Sequence, residues 1–494
     1  MVTKEKIYLY LKDPKIVFGI LSCFFILLNI FTISWTPLPW FDEVWFIDTS
    51  VNSALDNTWT TTAQVSYGGE TPIALYPPLY QYLLTLWIKI CGFSITSVRS
   101  FNVVIAAISS IVLFQGLREL GYLKNKWIIL VFVFLFWGTG LFAWSYRNGR
   151  PDMVNMLCAL SFMYSYFLYV KKGYSKWLMF FSAILVVLSG LQSCPLIIVF
   201  LIYLYVIKGE YRHKTKAAFF VTILGLVLGT ILLWGHFLFH EHPKSFFWQF
   251  SVSQSISNIL YKIPFLSEYI QPMKKIPEEG KDIFREFIDC YVKNKNYAIF
   301  TLVNSGILFA FRKKMSSSSI EIYFLGFSVL MPTVMFFAGH CLSPYTWMFY
   351  FPAIIFAVIC LEKYNNKFLW IIYGGLTFLF TVILGLPRML LNNEKKEYDK
   401  IVEFVERQNF DENVVILSYY KAYYPVRKIT RNSYYPMYPV QYMPSNIQYI
   451  LIDETDSFGH ENDDVYISNI RNEGKQIVAI DSLNNPRVIL YEVQ

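Results

Sequence analysis

Long, uninterrupted apolar runs constrain this chain of 494 residues more than any other feature. In lipid every backbone N–H and C=O must be paired within the chain, so such runs fold as helices. A helix needs about 20 apolar residues to cross the hydrocarbon core. Runs meeting or approaching that length lie near 16–35, 98–115, 127–145, 153–170, 177–192, 195–207, 217–239, 298–311, 320–338, 345–361 and 367–386. They predict an all-α polytopic membrane protein with about eleven spans, of which 195–207 and 298–311 are short. Composition agrees: 55% of residues are hydrophobic and only 16% charged, against about 25% charged in soluble domains. The first run is too long for a signal-peptide core and has no small-residue cleavage site, so it reads as an anchoring helix.

The net charge of +8 sits mostly in short loops between spans, where it sets orientation and gives no reason to expect a nucleic-acid partner. Lys4, Lys6, Lys12 and Lys15 precede the first span and place the N-terminus inside. Lys124 with Lys126, Lys171 with Lys172, Lys214 with Lys216, and Arg312-Lys313-Lys314 then fall on the same side. The alternation requires that 79–91 does not cross. That segment has about 13 residues and contains Lys89, so an interfacial or re-entrant helix is expected. Loops 36–97 and 240–297 are then external, the second with room for an amphipathic helix. Seven cysteines form no CxxC pair and suggest neither a disulfide framework nor a zinc site.

Beyond residue 387 the chain becomes charged. A helical period over 397–408 precedes strand-like runs at 414–418, 448–452, 476–480 and 487–493, which predicts a small external α/β domain over 388–494 behind a transmembrane catalytic domain over 1–387. Between the first two runs a Tyr-Pro-rich stretch, Tyr419 to Pro444, reads as an ordered loop facing membrane or substrate.

Carboxylates where a membrane helix meets water are costly and ask for a functional reason. Asp42-Glu43 stands at the outer edge of the first span. Asp42 could cap a helix beginning at Glu43, and it could also serve as a general base. A second constellation is Arg147-Asn148-Gly149-Arg150-Pro151-Asp152. Pro151 starts the next helix, so Asp152 falls in a first turn where the helix dipole favours an acid. The arginines there suit either interfacial snorkelling or a bidentate hold on phosphate. Tyr76-Pro77-Pro78 forces an extended lead-in to a helix. Glu70 and His340 are further external polar residues; with Tyr76, Arg147 and Arg150 they complete the candidate substrate-binding set.

The acidic pair after the first span, the Pro-Pro-Leu lead into an aromatic helix, Arg99 opening the next span, and Arg-Pro-Asp at the start of the fourth resemble one known pattern. It is that of GT-C fold glycosyltransferases, in the group of protein O-mannosyltransferases and lipid A aminoarabinose transferases. The motifs cover roughly residues 16–240. The resemblance implies that Asp42, with Glu43 beside it, is the base, and that Asp152 and Arg147 or Arg150 face it. It implies a polyprenyl- or dolichyl-phosphate sugar donor. The family often has a basic residue or histidine before the double proline where this chain has Tyr76, so the phosphate contact stays unassigned. Metal use in the family is inconsistent, so none is inferred and a divalent ion is left open.

The expectation is an inverting glycosyltransferase that passes a sugar from a polyprenyl-phosphate donor to a hydroxyl of a lipid, glycan or protein. It would work at the external (periplasmic) face of a plasma (inner) membrane, among membrane lipids. Transporters place charge at the midplane on broken helices in paired halves, whereas here charge gathers at one face. A flippase of lipid-linked glycans, or a polymerase or ligase, is the competing reading.

Overall fold

The computed structural model describes residues 13–63, 76–207, 212–241, 246, 262, 295–315, 323–330, 345–391, 393–435, 446–454, 468, 471–472, 475–484 and 486–494. Among these residues the chain is mostly helical with one small sheet. It is a multi-pass membrane protein. The helices are α1 (Pro14–Thr32), α2 (Phe41–Asp56), α3 (Pro78–Cys91), α4 (Ile95–Glu119), α5 (Lys126–Trp137), α6 (Gly140–Tyr146), α7 (Asp152–Phe167) and α8 (Trp177–Ser189). After them come α9 (Cys194–Ile207), α10 (Arg212–Phe239), α11 (Lys295–Phe311), α12 (Trp347–Tyr364) and α13 (Lys367–Thr377). Among the described residues five helices are long and apolar enough to cross a membrane, starting at Pro14, Ile95, Asp152, Arg212 and Lys367. Shorter apolar helices cover Lys126–Trp137, Trp177–Ser189, Leu191–Val206 and Tyr297–Phe311. The expected span at 127–145 is broken: α5 ends at Trp137 and α6 begins at Gly140.

Two helices lie between the first long spans. α2 is buried nearly all round, by Val44, Phe46, Ile47 and Val51 and also by Glu43, Asp48, Ser50 and Asn52. It ends where Asn57 adopts a left-handed conformation, φ 56°, which asparagine tolerates better than most residues. α3 realises the short segment expected at 79–91. It buries Tyr80, Gln81, Leu84 and Ile88 against the bundle and leaves Tyr82, Leu83, Leu86 and Ile90 outward. That outward apolar face suits a helix lying in a lipid interface.

The tail contains the small sheet that the strand-like runs predict, with one further strand. α15 (Asn393–Arg407), after the one-turn helix α14 (Leu386–Leu390), precedes β1 (Ile416–Ser418), α16 (Tyr423–Ile429), β2 (Ser433–Tyr434), β3 (Tyr449–Asp453), β4 (Ile477–Asn484) and β5 (Arg487–Val493). The sheet order is β2-β1-β3-β5-β4, parallel among the first three strands and antiparallel from β3 onward. Ile401, Phe404 and Val405 of α15 cover one face with Ile416, Leu451 and Leu490. Val415, Leu417, Ile450 and Ile452 form the other. β2 escaped the sequence reading because two residues inside a Tyr-Pro-rich stretch carry no period. The amphipathic helix expected within 240–297 lies, apart from isolated positions and the start of α11, outside the described residues.

Candidate active site

The site is built on buried ion pairs between helix starts. Asp42 and Glu43 occupy the first turn of α2, where the helix dipole favours acids. Asp42 is not the cap: the helix starts at Phe41 with Trp40 as N-cap. The two side chains diverge, as adjacent helical residues must. Glu43 turns inward to Arg99 of α4. Arg99 Nε and Nη2 donate to its two carboxylate oxygens at 2.7 and 2.6 Å, and neither side chain is exposed. This is the bidentate geometry that makes an arginine–carboxylate pair strong. Nη1 of the same guanidinium donates to the carbonyls of Ile33 and Pro37 at 3.0 and 2.7 Å, so Arg99 ties the end of the first span to α2.

The 147–152 loop closes on this pair. Gly149 N–H donates to Glu43 Oε1 at 3.1 Å. A methyl group at Gly149 would stand 2.5 Å from Ile47 Cγ2 and 3.1 Å from Glu43 Cγ, so the approach demands glycine. The loop carbonyls are also held: Asn102 Nδ2 donates to Asn148 O and Arg150 O at 2.6 and 2.7 Å, and Tyr80 OH donates to Gly149 O at 2.5 Å.

The two arginines of the loop part company. Arg147 donates to Thr36 O, Asn29 Oδ1, Thr32 Oγ1 and Thr32 O, at 2.5–3.1 Å. It thus clamps the end of α1 and the turn that follows it. Burial, with Arg99 nearby, lowers its pKa to about 10. Arg150 lies between the acids, with Nε donating to Asp152 Oδ2 at 2.8 Å and Nη1 paired to Asp42 Oδ2. Burial opposes its charge, but Asp152 and Asp42 outweigh it and hold its pKa above the ordinary guanidinium value. Aromatic rings surround the guanidinium carbon, Phe46 at 5.0 Å, Trp40 at 5.4 Å and Tyr345 at 5.7 Å. Asp152 occupies the first turn of α7 behind Pro151, as the sequence predicts. Of the three acids, only Asp42 keeps side-chain exposure, 15% against none for Glu43 and Asp152. Burial raises its pKa and Asp152 adds to that, while Arg150 opposes.

Tyr76 is also central. It accepts the Leu191 N–H at 2.5 Å and donates to Gln192 Oε1 at 2.8 Å, which holds the break between α8 and α9. Burial raises its pKa. Glu70 and His340 lie outside the described residues. Among the described residues no group of three or more His, Cys, Asp or Glu side chains is placed to hold a metal ion.

Part of the surroundings comes from a distant stretch of the chain. The Tyr-Pro-rich stretch of the tail docks onto α2. Tyr424 OH donates to Glu43 Oε1 at 3.0 Å and Tyr423 OH to Asp48 Oδ1 at 2.8 Å. Arg427 Nη2 donates to Asn52 Oδ1 at 2.9 Å and pairs with Asp56. Asp48 also accepts from Thr61 Oγ1 and the Thr62 N–H at 2.8 and 2.5 Å. The aromatic density of the stretch was the available signal, though it named no partner.

Residues 76–234 match the family model of dolichyl-phosphate-mannose-protein mannosyltransferases. Over this stretch the chain resembles that family. The match takes in Tyr76, the Pro-Pro lead, Arg99, and the whole loop from Arg147 to Asp152, so the motifs read from the sequence point to the same family. No curated protein matches the sequence. Among solved structures, the crystal structure of ArnT from Cupriavidus metallidurans bound to undecaprenyl phosphate aligns with a TM-score of 0.45 at 10% identity, covering 96% of this chain and 97% of that one.

Proposed function

We propose that this protein is an integral-membrane glycosyltransferase that moves a sugar from a polyprenyl-phosphate donor to an acceptor hydroxyl. The observation that carries the reading is the convergence of Asp42, Arg150 and Asp152, inside or beside the stretch that resembles the mannosyltransferases. Asp42 is the general base, being the acid that keeps access to the outside. The acceptor oxygen forms a bond to the anomeric carbon and gives its proton to Asp42, while the bond from that carbon to the phosphate oxygen breaks. The lipid phosphate leaves as a weak base that needs cations and dipoles rather than an acid. One displacement inverts the anomeric configuration.

Arg150 is the phosphate-holding cation in this reading, since the donors of Arg147 are spent on α1. A phosphate competing for the Arg150 fork would release Asp42 from its pair, so donor binding would arm the base. Glu43 orients the loop instead of reacting. Residues 1–387 would form the catalytic membrane part and 388–494 an α/β unit braced against α2.

The test is release of free polyprenyl phosphate from radiolabelled lipid-linked sugar by the purified protein when an acceptor is supplied. A transporter or flippase of lipid-linked glycans would move the donor across vesicles without releasing lipid phosphate, and that outcome would end the enzyme reading. A polymerase or ligase would release lipid pyrophosphate or transfer a whole glycan. The reading places the site at the external face of the plasma membrane, with the N-terminus cytoplasmic and the tail external. A cysteine placed at Lys172 should therefore resist an impermeant reagent in intact cells, and labelling there would invert the orientation.

A further inference from the structure

We propose that the face of α7 beyond Asp152, with Asn155 at its centre, reads the hydroxyls of the transferred sugar; this rests on the glycosyltransferase reading above. Asn155 stands three residues after Asp152 and so projects from the same side of the helix. It is fully buried. Neither its amide oxygen nor its amide nitrogen has a hydrogen-bond partner, and the same holds for Ser193 Oγ. Buried polar atoms without partners are rare and destabilising, and a cluster of them asks for a reason.

The surroundings give these groups a common direction. A methyl group at Gly190 would lie 2.6 Å from Asn155 Oδ1 and 2.7 Å from Gln192 Nε2. The break between α8 and α9 therefore comes directly onto the amide. Gln192 is turned by Tyr76, whose hydroxyl donates to its Oε1. Tyr76 stands just before the Pro-Pro lead, and both it and Tyr345 pack against the apolar core of the helices. Tyr345 in turn lies against the Arg150 guanidinium. Asn155, Ser193, Gln192 and Tyr76 thus form a run of amides and hydroxyls that includes no cation, on the side of Asp152 away from its Arg150 pair.

That chemistry suits a sugar ring and not a phosphate. Each sugar hydroxyl is one donor and an acceptor, which amides and hydroxyls match, whereas a phosphate calls for cations or helix N-termini. Discrimination follows as well, because a site built to hydrogen-bond a hydroxyl leaves its own polar groups unpaired when that hydroxyl is missing or inverted.

The experiment uses the full-length protein in nanodiscs with a panel of polyprenyl-phosphate donors carrying mannose, glucose, galactose or arabinose. It reads kcat/KM for release of lipid phosphate. The wild type should prefer one sugar by about tenfold or more, and Asn155→Ala should lower kcat/KM for that sugar by roughly tenfold to a hundredfold while flattening the preference. Gly190→Ala, which keeps the amide and obstructs it, should flatten the preference too. It covers the case in which Asn155→Ala fails to insert. An unchanged ratio among sugars in both variants, at whatever absolute rate, would overturn the inference, as would a wild type with no preference. No release by the wild type from any donor would instead strike the glycosyltransferase reading and remove the basis of this one.

Discussion

Asp42→Asn should reduce turnover by about a hundredfold or more while leaving donor binding largely intact, because the amide keeps shape and hydrogen bonding but cannot accept a proton. Asp42→Glu should recover little, since a base displaced by about an ångström loses the attack geometry. The pH profile gives a second readout. Burial and Asp152 raise the Asp42 pKa, and the base works deprotonated. Activity should therefore rise with pH through a limb lying above the ordinary carboxylate value of about 4, and be lost as pH falls through it. Asp152→Asn removes a charge that raises this pKa, so the limb should move to lower pH in whatever activity remains. Asp42→Asn should abolish the limb altogether. Near-normal turnover in a folded Asp42→Asn protein would reject Asp42 and pass the role to Asp152.

Arg99→Ala should be the most damaging single change to stability. Glu43 would stay buried with only Gly149 N–H and Tyr424 OH to balance its charge. Removing one partner of a buried ion pair costs about 3–5 kcal/mol. Arg99→Lys should rescue only in part, since a point charge cannot serve both Glu43 oxygens and the Ile33 and Pro37 carbonyls together. Replacing both Arg99 and Glu43 by methionine should restore part of the loss by removing the charges. The remainder should persist because Gly149 N–H and Tyr424 OH would lose their acceptor. The measurement is the thermal midpoint in detergent, and an Arg99→Ala midpoint equal to wild type would show that the Arg99–Glu43 pair does not hold the first span to α2. Loss of activity should accompany loss of stability, because Glu43 positions the loop that carries Arg150.

Periodicity and charge were enough to read much of this molecule. Apolar runs place α1, α4, α7 and α10, because a backbone in lipid has so few alternatives to a helix. Strand-length runs place β1, β3, β4 and β5 to within a few residues, and the first-turn position of Asp152 follows from Pro151 alone. What the sequence could not decide was partnership. Arg147 and Arg150 are chemically identical and three residues apart, yet one clamps Thr32 and Thr36 and the other sits between Asp42 and Asp152. Glu43 and Asp42 are adjacent, and only the tertiary fold buries one against Arg99 and leaves the other partly exposed beside Arg150. The docking of Tyr423, Tyr424 and Arg427 onto α2 spans more than 370 positions of chain. Local pattern is set by the few residues around each position, which the sequence states directly. A buried charge, by contrast, is satisfied by whichever group the whole fold brings within about 3 Å, and that is settled only when every helix has found its place.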